Sequence, residues 1–166
     1  MTETTEAAAA PAGRRLHIPI HLRWGDLDAY NHVNNTSMLK LLEEARVRAF
    51  WEPEQGEEPM PTAVVPRGGD TLTLVARQEI EYLLPVPYGR EPLDVQLWFG
   101  RIGGSSVEVC YDVCSPRTGR EQVHYARSAA TIVLVSTETM RPVRLNDRMR
   151  AAWAPYLGEP IRFTRR

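Results

Sequence analysis

Residues 23–46 read RWGDLDAYNHVNNTSMLKLLEEAR, and the change of pattern inside this stretch decides the fold. Gly25 to Asn34 is dense in turn formers and polar groups, so it reads as an ordered loop. From Asn35 the period becomes helical. Met38, Leu41, Leu42, Ala45 and Ala49 fall on one stripe, while Lys40, Glu43, Glu44 and Arg48 gather opposite, which predicts a helix over 35–51. Asn34 or Asn35 suits the N-cap, because a short amide side chain accepts from the free N–H groups of a first turn. Pro53 ends the helix, and PEQGEEPMP (53–61) is an acidic, proline-broken loop.

On both sides of this stretch the pattern is that of strands. Leu16, Ile18, Ile20, Leu22 and Trp24 alternate with His17, Pro19, His21 and Arg23, which predicts a half-buried strand over 16–24. Pro19 lacks a backbone donor and points to a sheet edge or a local break. Downstream, 71–86 is long and β-rich, and Leu93, Val95, Leu97 and Phe99 alternate with Asp94, Gln96 and Trp98. Gly103-Gly104 then predicts a tight hairpin with both residues at positive φ. Val107, Val109, Tyr111 and Val113 form the returning face, SPRTG (115–119) turns again, and 123–136 is the last strand. A short closing helix is expected over 146–157, broken by Pro155. One early helix followed by antiparallel strands is an α+β pattern, most economically a curved sheet wrapped around the helix.

The 166 residues, 43% of them apolar and 25% charged, suit one globular domain with a real core. Residues 1–15 are expected to form a flexible tail, 16–158 the domain and 159–166 a second tail. Twenty basic against 21 acidic side chains leave a net charge of −1, which argues against an electrostatic grip on nucleic acid. No apolar run approaches the roughly 20 residues that span a bilayer. The start does not resemble a signal peptide, so a cytoplasmic protein without a membrane partner is expected. Cys110 and Cys114 lie about 13 Å apart along a strand, beyond the roughly 7 Å reach of a disulfide. No CxxC and no Cys/His cluster stands in the sequence, and His17 and His21 are equally far apart, so no metal site is expected.

The run RWGDLDAYNHVNNTSMLKLLEEAR resembles the signature of hot-dog-fold acyl-CoA thioesterases of the 4-hydroxybenzoyl-CoA thioesterase type, a W/Y-x-D-x-D-x-x-x-H-V-N-N loop leading into a central helix. RQEIEYLLPVPYG (77–89), DVQLWFGRIGGSSVEVCYDV (94–113) and ARSAATIVLV (126–135) resemble that family's strands in its order, so the likeness spans about residues 16–150. The resemblance implies a single hot-dog domain, an acyl-CoA or acyl carrier protein thioester as substrate, and a homodimer or homotetramer with active sites between subunits. Asp28 matches the catalytic carboxylate, as nucleophile or general base. His32 matches a histidine that assists in related plant enzymes. Asn34 and Asn35 match the NN pair. Tyr30 stands where plant-type relatives carry a functional asparagine and is expected to meet substrate. So are Arg101, Gly103 and Ser105 of the hairpin that similar thioesterases turn toward the CoA phosphates. Met38 stands where the family commonly has tyrosine.

Elementary chemistry fits these positions. Thioester hydrolysis needs a carboxylate that attacks or activates water, and donors that receive the carbonyl oxygen's developing charge. A helix start has unpaired N–H groups and a positive dipole end, so backbone amides from Val33 to Asn35 are expected to polarise the carbonyl. Asp26 reads as a cap or loop hydrogen bond, and Lys40, Glu44 and Arg48 as a solvated ion-pair row. No GxSxG elbow and no Walker or Rossmann glycine pattern occurs, so no nucleotide cofactor is expected. The alternatives are a hydroxyacyl-thioester dehydratase on the same scaffold and a non-catalytic acyl-CoA-binding protein.

Overall fold

The computed structural model describes residues 13–164. Five strands, β1 (Leu16–Ile20), β2 (Thr71–Tyr82), β3 (Leu93–Ile102), β4 (Ser106–Cys114) and β5 (His124–Ser136), form one antiparallel sheet in the order β1-β3-β4-β5-β2. Helix α1 (Asn35–Phe50) lies on the concave face and packs chiefly on β1 and β3. Its predicted stripe is the buried one: Met38, Leu41, Leu42, Ala45 and Ala49 join Ile18, Val95, Leu97 and Val109 in a single core cluster. A short helix α2 (Asp147–Trp153) closes the core. Its Trp153 ring stacks on Phe50 and Phe99 with centroids 5.0 and 5.3 Å away, and its indole N–H donates to the Thr62 carbonyl.

Three expectations are corrected. The first strand stops at Ile20. Trp24 opens a 3-10 turn (Trp24–Asp26), held because the Asp26 carboxylate accepts from the Arg23 backbone N–H at 2.7 Å. That turn lifts Trp24 off the core, and it is 71% exposed. The β3–β4 hairpin needs no positive φ at Gly103 or Gly104. Gly103 N–H instead closes the loop onto Ser106 O at 2.8 Å, and a Cβ on Gly103 would lie 3.1 Å from the Ser106 hydroxyl. Finally, β3 is buried on both faces rather than one. Arg15 stacks over Trp98 at 4.0 Å, and residues 158–160 run across the outer face. There Gly158 N–H donates to Phe99 O, and the Trp98 indole donates to Glu159 O. Pro19 lies on an edge strand, as its missing donor requires.

Candidate active site

The loop between β1 and α1 folds back on itself. Leu27 and Val33 form an isolated antiparallel bridge, Asp28 N–H donates to His32 O at 2.8 Å, and Asn31 N–H donates to Asp28 O. Asn31 sits at φ 59°, a left-handed conformation that asparagine tolerates better than most residues. The Asp28 carboxylate locks the turn from inside, its Oδ1 accepting from the backbone N–H groups of Tyr30 (2.8 Å) and His32 (3.3 Å). Its Oδ2 meets no donor among the described residues, so one oxygen fixes the side chain and the other stays unpaired there.

Asp26, two residues earlier, is used up. It is buried, and both oxygens face Arg23, one through the backbone N–H and one through the guanidinium. Asn34 caps α1, its side chain accepting from Thr36 N–H at 2.9 Å.

The expected carbonyl-polarising amides narrow. Val33 N–H donates to Val86 O and Asn34 N–H to Asp26 O, so neither is available to a substrate. Asn35 and Ser37 N–H have no protein acceptor among the described residues. These two, at the positive end of the helix dipole, are the donors that remain.

An apolar cleft of about 210 Å³ is lined by Val33 and Met38, which flank the helix start in sequence, and by the segment from Tyr82 to Val86. It begins at Val33, across the bridge from Leu27, the neighbour of Asp28. Met38 takes the tyrosine's usual position and contributes wall without a hydroxyl.

The other predicted residues are placed less uniformly. His32 is half-buried, its backbone bridged to Pro87, and its ring makes no hydrogen bond among the described residues. Tyr30 is 82% exposed. Glu44 pairs with Arg48 at 2.7 Å and Glu43 with Arg46 at 3.4 Å, so the helix carboxylates are engaged. Arg101, Gly103 and Ser105 lie at the far end of the sheet. The site loop leaves beside Leu93, the register partner of Ile20, and Arg101 is eight residues further along β3, roughly 25 Å at strand rise. The hairpin is braced there by Arg150, which donates to the Gly103 and Gly104 carbonyls. A single chain therefore does not bring Arg101 to Asp28.

The apolar rim of Trp24, Tyr82, Leu83, Leu84 and Tyr88, with Trp24 and Tyr88 in edge-to-face contact at 5.6 Å, went unnoticed in the sequence. Its signal was the run YLLPVPY (82–88), whose prolines break the expected strand at Tyr82. Arg46 was also missed. It is buried beside the stripe, near Tyr111, whose hydroxyl meets no hydrogen-bond partner within bonding distance among the described residues and whose ionisation is pushed up by burial and eased by the Arg46 charge.

The family model of the thioesterase-like superfamily matches residues 22–153, which include the whole site loop, α1, the sheet from β2 to β5 and α2. The chain belongs to this superfamily. Among solved structures, it is similar to the PA5185 protein of Pseudomonas aeruginosa, at 24% identity and a TM-score of 0.68 over 86% of this chain and 92% of the other. It is also similar to PA2801 of the same organism, provisionally assigned as a thioesterase, at 28% identity and a TM-score of 0.65 over 84% and 98%. A third, a provisionally assigned acyl-CoA thioesterase from Xanthomonas campestris, shows 27% identity and a TM-score of 0.57 over 75% and 96%. No curated protein matches the chain. The fold is the hot-dog fold, and the superfamily's general chemistry is thioester hydrolysis. No helix among the described residues is long and apolar enough to cross a membrane.

Proposed function

We propose that this superfamily member hydrolyses acyl-CoA thioesters to a free acid and CoA, with acyl carrier protein thioesters as the related substrate class. The observation that carries the reading is the free Oδ2 of Asp28 in the loop that opens α1, a helix whose first turn keeps two unpaired amides and whose flanking Val33 and Met38 wall an apolar cleft. The acyl chain lies against Val33, Met38, Leu84 and Val86. The thioester oxygen accepts from Asn35 and Ser37 N–H, which stabilises the charge it gains as the carbonyl carbon becomes tetrahedral. Asp28 Oδ2 either attacks that carbon or takes a proton from the water that does. If Asp28 attacks, C–S cleavage leaves an acyl–Asp28 anhydride that water then hydrolyses to the free acid and the carboxylate, the thiolate taking its proton from solvent or from His32 on the same loop. If Asp28 acts as base, the proton it took from water passes to the leaving thiolate.

The same reading assigns the hairpin to a second copy of the chain. Strand β2 ends the sheet with an unpaired edge of 12 residues, carrying exposed Leu72, Leu74 and Val75. An open apolar edge of this length is a template for pairing. The Leu74 end of β2 lies beside the hairpin, through Val133 to Ser106. Its Tyr82 end lies beside the site loop's end of the sheet, through Ala126 to Val113 and Val95. A two-fold antiparallel pairing along β2 turns one copy's Arg101, Gly103 and Ser105 toward the other copy's Asp28, where they meet the CoA phosphates.

The test is a panel of acyl-CoAs assayed together for free thiol and for hydration of a crotonyl thioester. The expected result is release of one CoA thiol per acid formed. Hydration without thiol release would make the protein a dehydratase, and tight acyl-CoA binding with neither reaction would make it a carrier-binding protein.

A further inference from the structure

On the outer face of the sheet, remote from the Asp28 loop, three side chains converge that the sequence keeps apart. Asp112 and Cys114 stand two apart on β4, so both project outward. Cys114 is the register partner of His124, the first residue of β5, at an irregularity between Val113 and Cys114 that brings the two strand ends together. The Cys114 thiol, His124 Nδ1 and a carboxylate oxygen of Asp112 all lie within 4.8 Å of one another. The Sγ···Nδ1 separation is 3.5 Å, and Nδ1 stands 3.0 Å from Oδ1 and 2.9 Å from Oδ2.

We infer that Asp112, Cys114 and His124 form a binding site for a single divalent transition ion of the zinc class, with solvent in the fourth position. The argument is geometric. Zinc bonds of about 2.3 Å to sulfur and 2.0–2.1 Å to nitrogen, at a tetrahedral angle, place those two atoms roughly 3.5 Å apart. That is the separation found. Nitrogen and oxygen ligands belong about 3.3 Å apart on the same bonds, so His124 and Asp112 need to separate by only a few tenths of an ångström. The donor set of one thiolate, one imidazole and one carboxylate suits borderline-soft ions and disfavours calcium and magnesium.

Access and rigidity agree with this. The His124 side chain is 53% exposed and that of Asp112 15%, so an ion meets these two groups from solvent, and the buried Cys114 thiol is the inner ligand behind them. Two paired strands hold the ligands more firmly than a loop. Arg15 Nη1 stands 3.4 Å from Asp112 Oδ2, which leaves Oδ1 to face the ion. The neighbouring carboxylate of Asp94, opposite Cys114 in register, is occupied by His17, Gln96 and Gln122 and adds negative potential without being a ligand. On binding, the thiol proton leaves to solvent and the imidazole proton passes from Nδ1 to the exposed Nε2, so the Nδ1–H···Asp112 hydrogen bond is replaced by two bonds to the ion.

The experiment is titration of the chelator-treated full-length protein with Co(II), followed by competition of Zn(II) against a colorimetric chelator. One Co(II) per chain is expected, with a thiolate-to-cobalt charge-transfer band in the near ultraviolet and the intense visible bands of a tetrahedral site. The charge-transfer band should vanish in Cys114→Ser and persist in Cys110→Ala, since Cys110 lies elsewhere on β4. His124→Ala, a change at an exposed position that leaves the fold intact, should weaken Zn(II) at least about tenfold, the loss typical even of outer-shell partners. Absence of the band, a band that depends on Cys110, or unchanged Zn(II) affinity in His124→Ala would each overturn the site and leave an ordinary His–Asp ion pair.

Discussion

Asp26 and Asp28 are the same residue type two positions apart, yet the loop uses them oppositely. Both oxygens of Asp26 are spent on Arg23, whereas only one oxygen of Asp28 is spent, on the turn it sits in. Asp26→Ala removes the charged acceptor of the part-buried Arg23 backbone N–H and should cost about 1–3 kcal/mol in chemical denaturation. Asp28→Asn keeps an oxygen for the turn and should change the denaturation midpoint little. The structural use of Asp26 was legible in the sequence, where it read as a cap or loop hydrogen bond, while only the family resemblance set Asp28 apart. What spacing did not disclose was where the amides go: Val33 N–H reaches Val86, more than fifty residues away in sequence, and no local signal reports that. A further residue-scale consequence concerns Cys110. Burial pushes its thiol up to about 11, against about 8.5 in an unfolded chain. Between those values the folded state binds the proton that the unfolded state has lost. Stability contributed by this thiol is therefore full below about pH 8.5 and declines as pH rises toward 11. Denaturation midpoints across that range should fall for the native protein and fall less for Cys110→Ala.

At the scale of elements, the apolar face of α1 was readable, since one stripe, one cap and one proline define it and the five stripe residues are buried, joined by Arg46 and Phe50, which the stripe does not announce. Strand β3 was misjudged because alternation predicts one wet face, and the face was covered by chain ends that carry no periodic signal. The segment after Leu157 passes over Trp98 and Cys110, and a Cβ on Gly158 would stand 2.9 Å from the Trp98 ring. Gly158→Val should accordingly disturb the segment. Deleting residues 158–166 should expose Trp98, red-shifting its fluorescence, and make Cys110 reactive to alkylating reagents that spare it in the full chain. Unchanged emission and reactivity would mean that the segment does not cover the strand in solution. For α2, the sequence promised a short broken helix but not its importance. Trp153 packs against Phe50 and Phe99 in a three-ring cluster and is hydrogen-bonded to Thr62, so Trp153→Ala should cost about 3–5 kcal/mol in a denaturant titration.

For the whole molecule, the sheet order puts the Asp28 loop at one end and the hairpin at the other, which the sequence alone leaves undecided. If β2 pairs with a second copy, light scattering should report a dimer or tetramer, and Leu74→Lys should shift it toward monomer and lower turnover. Asp28→Asn and Arg101→Ala chains, each impaired alone, should on mixing and subunit exchange recover about a quarter of wild-type activity, the statistical share of intact sites in a two-fold pair. No recovery on mixing would place both residues' work within one chain. The most direct test of the central claim, that the free oxygen of Asp28 drives thioester hydrolysis, is single-turnover thiol release from a saturating acyl-CoA by wild type and Asp28→Asn, with acyl-CoA affinity measured alongside. The account predicts a fall of about 10²–10⁴-fold in rate at nearly unchanged affinity. A rate within a few fold of wild type would contradict it.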